Sequence, residues 1–319
     1  MIHPIPSGTR DVLPDEMREL RAITGALRAV FEDEGYGEVW TPTLEYEEVL
    51  RRAESGTDPA YRVFDDHGNV LALRSDMTVP IARVVASRYA AAEPPLRFHY
   101  TAHAYRAVRP HRGQMREFLQ SGVELVGAAA PEGTAEVLRV MCRALDASGL
   151  QDYRIALGDA SLYPALLRSH DLAPETASRV LHELVTRDFV GLEREVLALG
   201  LSDADAELLI SVPQLRGGGD VLDAAPGPVA DAVAGLRQIL ERLDDTVTER
   251  VIFDLGLSRG LGYYTGAVFD VLDPAFGAPV GGGGRYDDLI GKFGRPLPAV
   301  GFALNIDALH QALAGEAPA

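Results

Sequence analysis

Apolar residues recur at spacings of three and four through Met17, Leu20, Ile23, Leu27, Val30 and Phe31, which predicts an amphipathic helix over residues 15–36. A short strand over 38–40 then leads through Thr41-Pro42-Thr43 into a second, acidic helix. Residues 63–64 and 70–73 flank the turn Asp65-Asp66-His67-Gly68-Asn69 and predict a hairpin. A helix over 76–92 follows, stopped by Pro94-Pro95. Segments 96–108 and 116–126 are rich in apolar residues and predict a long hairpin around the basic loop Arg109-Pro110-His111-Arg112-Gly113. Helical periodicity then dominates residues 163–245, with helices over 177–188, 192–199, 206–212 and 228–243 broken at Arg216-Gly217-Gly218-Gly219-Asp220. Strand signals resume at 251–253, 267–271 and 299–302, and a last helix spans 305–314.

Hairpin-joined strands with helices elsewhere predict an α+β domain with an antiparallel sheet flanked by helices, not a doubly wound nucleotide fold. The sheet is completed from both sides of the helical block. Residues 1–319 therefore read as one domain carrying a helical insertion over 163–245. No G-x-x-x-x-G-K-[ST] or G-x-G-x-x-G follows a predicted strand, so neither phosphate loop is expected.

Composition narrows the class. The 319 residues are 47% hydrophobic and 24% charged, an ordinary globular balance. No apolar run of about 18 residues is present, so no membrane partner is expected. The start lacks the basic-then-apolar layout of a secretory signal, and a cytoplasmic address is expected. Cys142 is the single cysteine, which rules out a disulfide framework and a cysteine-ligated zinc site. Its apolar neighbours Val140, Met141 and Leu145 mark it as a core filler. His99, His103, His111, His170, His182 and His310 show no metal-ligand spacing, and neither a metal nor another cofactor is expected. The net charge of −17, from 30 Lys plus Arg against 47 Asp plus Glu, weakens a nucleic-acid reading without excluding it.

Four segments concentrate chemistry. Residues 105–118 hold Arg106, Arg109, Arg112 and Arg116, planar donors suited to carboxylate or phosphate, although a solvated basic loop has the same composition. In Gln120-Ser121-Gly122-Val123-Glu124, period 2 puts Gln120, Gly122 and Glu124 on one strand face, either lining a polar site or facing solvent. Arg259-Gly260-Leu261-Gly262-Tyr263-Tyr264-Thr265-Gly266 combines close backbone approach with an arginine and two tyrosines. Val280-Gly281-Gly282-Gly283-Gly284-Arg285-Tyr286-Asp287 adds four glycines that read as a site-lining run before a helix.

The last two segments resemble the two histidine-specific motifs of histidyl-tRNA synthetase. Ser7-Gly8-Thr9-Arg10-Asp11-Val12-Leu13-Pro14, the 106–124 hairpin and Pro298-Ala299-Val300-Gly301-Phe302-Ala303 resemble the same family in the same order. The fold this implies is the class II synthetase core. By the same resemblance Glu124 and Tyr264 match the residues that hold the imidazole nitrogens, and Asp76, Thr78 and Gln120 those around the amino group. Arg259 matches the arginine facing the carboxylate, and Arg106 and Tyr263 complete the histidine-binding set. Asp76 stands where the synthetases place a longer Glu. An acceptor and a hydroxyl together satisfy a neutral imidazole, and such a pocket rejects apolar isosteres.

The ATP side departs from the family pattern. Val108 stands where the synthetases place Glu, Gln114 where they place Arg, and Asn305-Ile306-Asp307-Ala308 where their last motif ends in Glu-Arg. Each charged donor at a developing phosphate charge lowers the barrier by roughly 3 kcal/mol, so with several missing no catalytic residue is assigned and adenylation is expected to be slower by orders of magnitude. The chain also stops about ten residues past the last motif, so neither a C-terminal anticodon-binding domain nor a tRNA partner is expected.

A kept histidine half and a lost ATP half resemble the regulatory subunits of ATP phosphoribosyltransferase. That resemblance implies a non-catalytic protein, with a short-form catalytic subunit as partner, histidine as feedback ligand and a homodimer within a hetero-oligomer. Leu20, Ile23 and Leu27 then face either a subunit or the core. A minimal histidine-adenylating enzyme and a free-standing histidine-binding protein are the other two readings.

Overall fold

The computed structural model describes residues 5–53, 60–107, 115–170, 172–225 and 227–316. Helix α1 (Pro14–Asp33) starts with proline at its first position and Asp15 and Glu16 in its first turn. It buries Leu20, Ile23, Leu27 and Phe31, the three-and-four stripe of the sequence, within this chain's own core. Strands β1 (Gly37–Glu38) and β2 (Leu44–Tyr46), helix α2 (Glu47–Arg52), strands β3 (Arg62–Phe64) and β4 (Val70–Leu73) and helix α3 (Thr78–Arg88) follow. The long hairpin is β5 (Leu96–Tyr105) and β6 (Glu117–Val126), then helix α4 (Glu132–Ser148) and strand β7 (Arg154–Asp159).

The stretch read from sequence as a helical insertion spans α5 (Leu162–Arg168), α6 (Pro174–Thr186), α7 (Phe189–Leu197), α8 (Asp203–Ser211), β8 (Arg216–Gly217) and α9 (Ala230–Leu240), and α10 (Asp245–Thr248) begins at its end. Strands β9 (Val251–Asp254), β10 (Ala267–Asp273), β11 (Phe276–Arg285) and β12 (Ala299–Asn305) and helix α11 (Ile306–Glu316) close the chain.

Among the described residues the main sheet has nine strands in the order β1-β5-β6-β12-β11-β10-β7-β9-β8. Its centre, from β5 to β7, is antiparallel throughout. Parallel pairs flank that centre, β1 on β5 and β7 on β9. Strand β7 was not anticipated, and its reason is physical: Ile155, Ala156, Leu157 and Gly158 are all buried, so both faces are covered and no alternation marks the strand. The segment Arg216-Gly217, read as a break, instead pairs with β9.

The glycine run calls for a correction. Gly281 to Gly284 do not lead into an α-helix; they lie inside β11, paired to β10 and β12. A Cβ on Gly283 would strike the Gly301 carbonyl, and one on Gly281 would stand 2.6 Å from the Ala303 carbonyl oxygen. Glycine is present because neighbouring backbone and side chains fill the space a Cβ would need. A turn and a short 3-10 helix (Ile290–Phe293) follow Arg285.

Apolar side chains of the insertion, including Val180, Leu184, Leu192, Leu209 and Leu236, pack in the same core as α1 and α4. Cys142 is buried in α4, and burial pushes its thiol up to about 12, which leaves it protonated. No described helix is long and apolar enough to cross a membrane. Among the described residues no cluster of His, Cys, Asp and Glu is placed to hold a metal.

Candidate functional site

Period 2 along β6 turns Gln120, Gly122 and Glu124 to one face, and pairing with β12 sets Glu124 opposite Gly301. A Cβ at Gly301 would collide with the Glu124 carboxylate, so the glycine makes the room in which that carboxylate lies. Glu124 is 1% exposed. Its Oε1 accepts from the Thr78 hydroxyl at 2.7 Å, and its Oε2 accepts from the Tyr286 hydroxyl. Burial pushes the Glu124 carboxyl up to about 8, against the pull of these two donors, and the nearby Asp76 carboxyl adds to the rise.

Asp76 precedes α3 and accepts from the Val79 backbone N–H at 3.0 Å, capping the helix. The Ser75 hydroxyl donates to its other oxygen at 3.3 Å. Burial raises the Asp76 carboxyl, partly offset by the Val79 N–H and by the charge of Arg106. Gln120 is buried, and its Oε1 has no hydrogen-bond partner. An orphaned buried acceptor is costly, which points to a donor that completes the site.

Tyr263 packs on Tyr264 and Tyr286, with ring centroids 4.9 and 5.9 Å apart. The Arg259 guanidinium donates to the Phe269 carbonyl at 3.1 Å and forms an ion pair with Asp270. Tyr264 lines the same inner cavity as that guanidinium. Arg106 stacks on Phe118, its guanidinium carbon 4.9 Å from the ring centroid.

Two cavities meet here. The inner one, about 40 Å³, is lined by Asp76, Thr78, Tyr263, Tyr264 and Tyr286. The outer one, about 470 Å³, includes Ser75, Phe118, Asp270 and Asn305. Arg106, Gln120 and Arg259 line both. Seven of the eight residues singled out in the sequence thus line the inner cavity, and Glu124 is bonded to two of its walls, Thr78 and Tyr286. In this structure the tyrosine hydroxyl bonded to Glu124 is that of Tyr286, and Tyr264 lines the same cavity. Sequence reading left Tyr286 and Asp270 out of the set. Tyr286 sat in a quoted motif, whereas nothing local marked Asp270.

Of the positions read as ATP-side departures, Val108 and Gln114 lie outside the described residues, as does the basic loop 109–113. Ala308 is a core residue of α11, 5% exposed, and its N–H donates to Asn305 Oδ1 at 3.1 Å. Asp307 is ion-paired to Arg10. Neither Ala308 nor Asp307 offers the nucleotide a cation.

A protein-family model described as histidyl-tRNA synthetase matches residues 8–309. A curated relative from Desulforamulus reducens, named ATP phosphoribosyltransferase regulatory subunit, is 40% identical over 96% of this chain and 78% of its own length. The chain belongs to the ATP phosphoribosyltransferase regulatory subunit family. A solved member of that histidyl-tRNA synthetase-like family, described as an ATP phosphoribosyltransferase regulatory subunit/histidyl-tRNA synthetase from Bacillus halodurans C, superposes with a TM-score of 0.90. It is 35% identical and covers 98% of this chain and 84% of its own. A structure titled histidine–tRNA ligase subunit from Alicyclobacillus acidocaldarius superposes at 0.83, with 32% identity over 98% of each chain. The class II synthetase fold and the regulatory-subunit family are therefore both established for this chain.

Proposed function

We propose that this chain is the histidine-sensing, non-catalytic subunit of an ATP phosphoribosyltransferase, acting with a short-form catalytic subunit in the first step of histidine biosynthesis. The observation that carries this reading is the inner pocket: a buried Glu124 fixed by two hydroxyls, beside the orphaned Gln120 acceptor and the Arg259 guanidinium. A neutral imidazole offers one donor and one acceptor, which Glu124 and a tyrosine hydroxyl satisfy. Asp76 and Gln120 supply acceptors for an ammonium, and Arg259 supplies donors for a carboxylate. Polar groups packed this closely penalise any ligand that leaves one unpaired.

The core alanine at 308 supports a subunit that does not activate its ligand. Apolar exposure supports assembly. Trp40 is 91% exposed, and Tyr46 and Phe64 also stand out from the surface near the β2–β4 sheet. Whether the assembly is a homodimer within a hetero-oligomer is tested by mass measurement of the purified complex. Function is tested by mixing the chain with a short catalytic subunit and following phosphoribosyl transfer to ATP. The expected result is activity that requires this chain and is inhibited by histidine. Histidine-dependent exchange of pyrophosphate into ATP by this chain alone, at enzymatic rates, would overturn the reading and favour the adenylating alternative.

A further inference from the structure

Arg259 does not stand free in the pocket. Asp270 pairs with Gly282 across β10 and β11, and the Arg259 guanidinium lies over that pair. A Cβ on Gly282 would strike Arg259 Nη1 and the Phe269 carbonyl and would sit 2.7 Å from Asp270 Oδ1. The strand therefore omits a side chain where the ion pair needs space. Asp270 also lines the outer cavity that Arg259 faces. The other charged groups acting on Asp270 are Arg187, at the end of α6, and Asp254, at the end of β9, which are themselves paired at 3.0 Å. Asp254 also lies 3.9 Å from Arg216, so these three groups are engaged with one another, and Arg259 is the cation paired with Asp270 directly.

We propose that Asp270 is a specificity-determining residue: by neutralising Arg259 it limits how strongly the pocket selects for a ligand carboxylate. The inference rests on the histidine reading of the pocket. An incoming carboxylate meets a guanidinium that already holds one carboxylate, and it approaches that carboxylate as a like charge. Hydrogen bonding to the guanidinium is still possible, but most of the charge attraction is cancelled. A feedback ligand bound in this way is held weakly enough to report a changing concentration.

The test compares histidine with histidinol, its amino-alcohol analogue, by calorimetric titration of the intact chain. Wild type is expected to prefer histidine by less than about tenfold, since a neutralised guanidinium adds little beyond hydrogen bonding. A larger preference overturns the inference without needing any variant. Asp270→Asn is expected to raise histidine affinity about tenfold while histidinol affinity fails to rise, and Asp270→Glu is expected to restore the wild-type ratio. A purely structural role would shift both ligands equally, and that outcome also overturns it. Failure of wild type to bind histidine at all removes the pocket reading itself, and this inference with it.

Discussion

Burial pushes the Glu124 carboxyl up to about 8, from an ordinary value of 4.5. The folded chain thus binds this proton more tightly than the unfolded chain does. The stability it contributes is fully present below about pH 4.5 and is lost as pH rises through about 8. Comparing the melting temperatures of wild type and Glu124→Gln from pH 5 to 9 isolates this group. Wild type should fall relative to the variant as pH rises and level off above 8; a constant difference would contradict the buried-carboxyl account. The same proton links to ligand. A ring N–H donated to Glu124 requires the carboxylate, so histidine affinity should strengthen between pH 6.5 and 8, with release of close to one proton per site at pH 7. Titration in buffers of different ionisation enthalpy measures that proton. At this scale the sequence was informative wherever a residue belonged to a recognisable motif, as with Glu124, Arg259 and Tyr264. It was silent on Asp270, whose role depends on a partner brought in from the preceding loop.

Among the elements, β11 shows most clearly what local pattern hides. Glycine weakens a strand by propensity, so four in a row read as a site-lining run before a helix and not as a strand; their cause is the closeness of β12 on one side and Arg259 on the other, which no local window contains. Gly283→Ala should destabilise the fold by about 1–3 kcal/mol through overpacking. Gly277→Ala, in the same strand with open space around it, should be near neutral. Chemical denaturation of the two variants decides this, and equal effects would sink the close-approach argument. Helix α1 was legible because Leu20, Ile23, Leu27 and Phe31 keep one stripe against the core. Strand β7 was not, because a strand covered on both faces has no alternation to read. The parallel pairs β1–β5 and β7–β9 escaped for a related reason, since their partners are fixed by topology and not by adjacent turns.

Over the whole molecule, a class II synthetase fold carries an inner polar pocket opening into a larger chamber. The order of the motifs made that fold readable, and the β5–β6 hairpin at the heart of the sheet was announced by the sequence, whereas β11 and β7 were not. The contribution of the insertion to the same core and sheet was not readable, because its packing partners lie far away in sequence. The proposed function rests on an asymmetry: the inner chamber gathers the residues proposed for histidine, whereas Ala308, where the synthetase pattern would place an arginine, is buried in the core of α11. Calorimetric titration of the purified chain with histidine and with ATP tests that asymmetry most directly. The account predicts one saturable histidine site per chain, lost in Glu124→Gln, and no saturable ATP site with or without histidine. Saturable ATP binding that tightens with histidine, or histidine binding indifferent to Glu124→Gln, would contradict it.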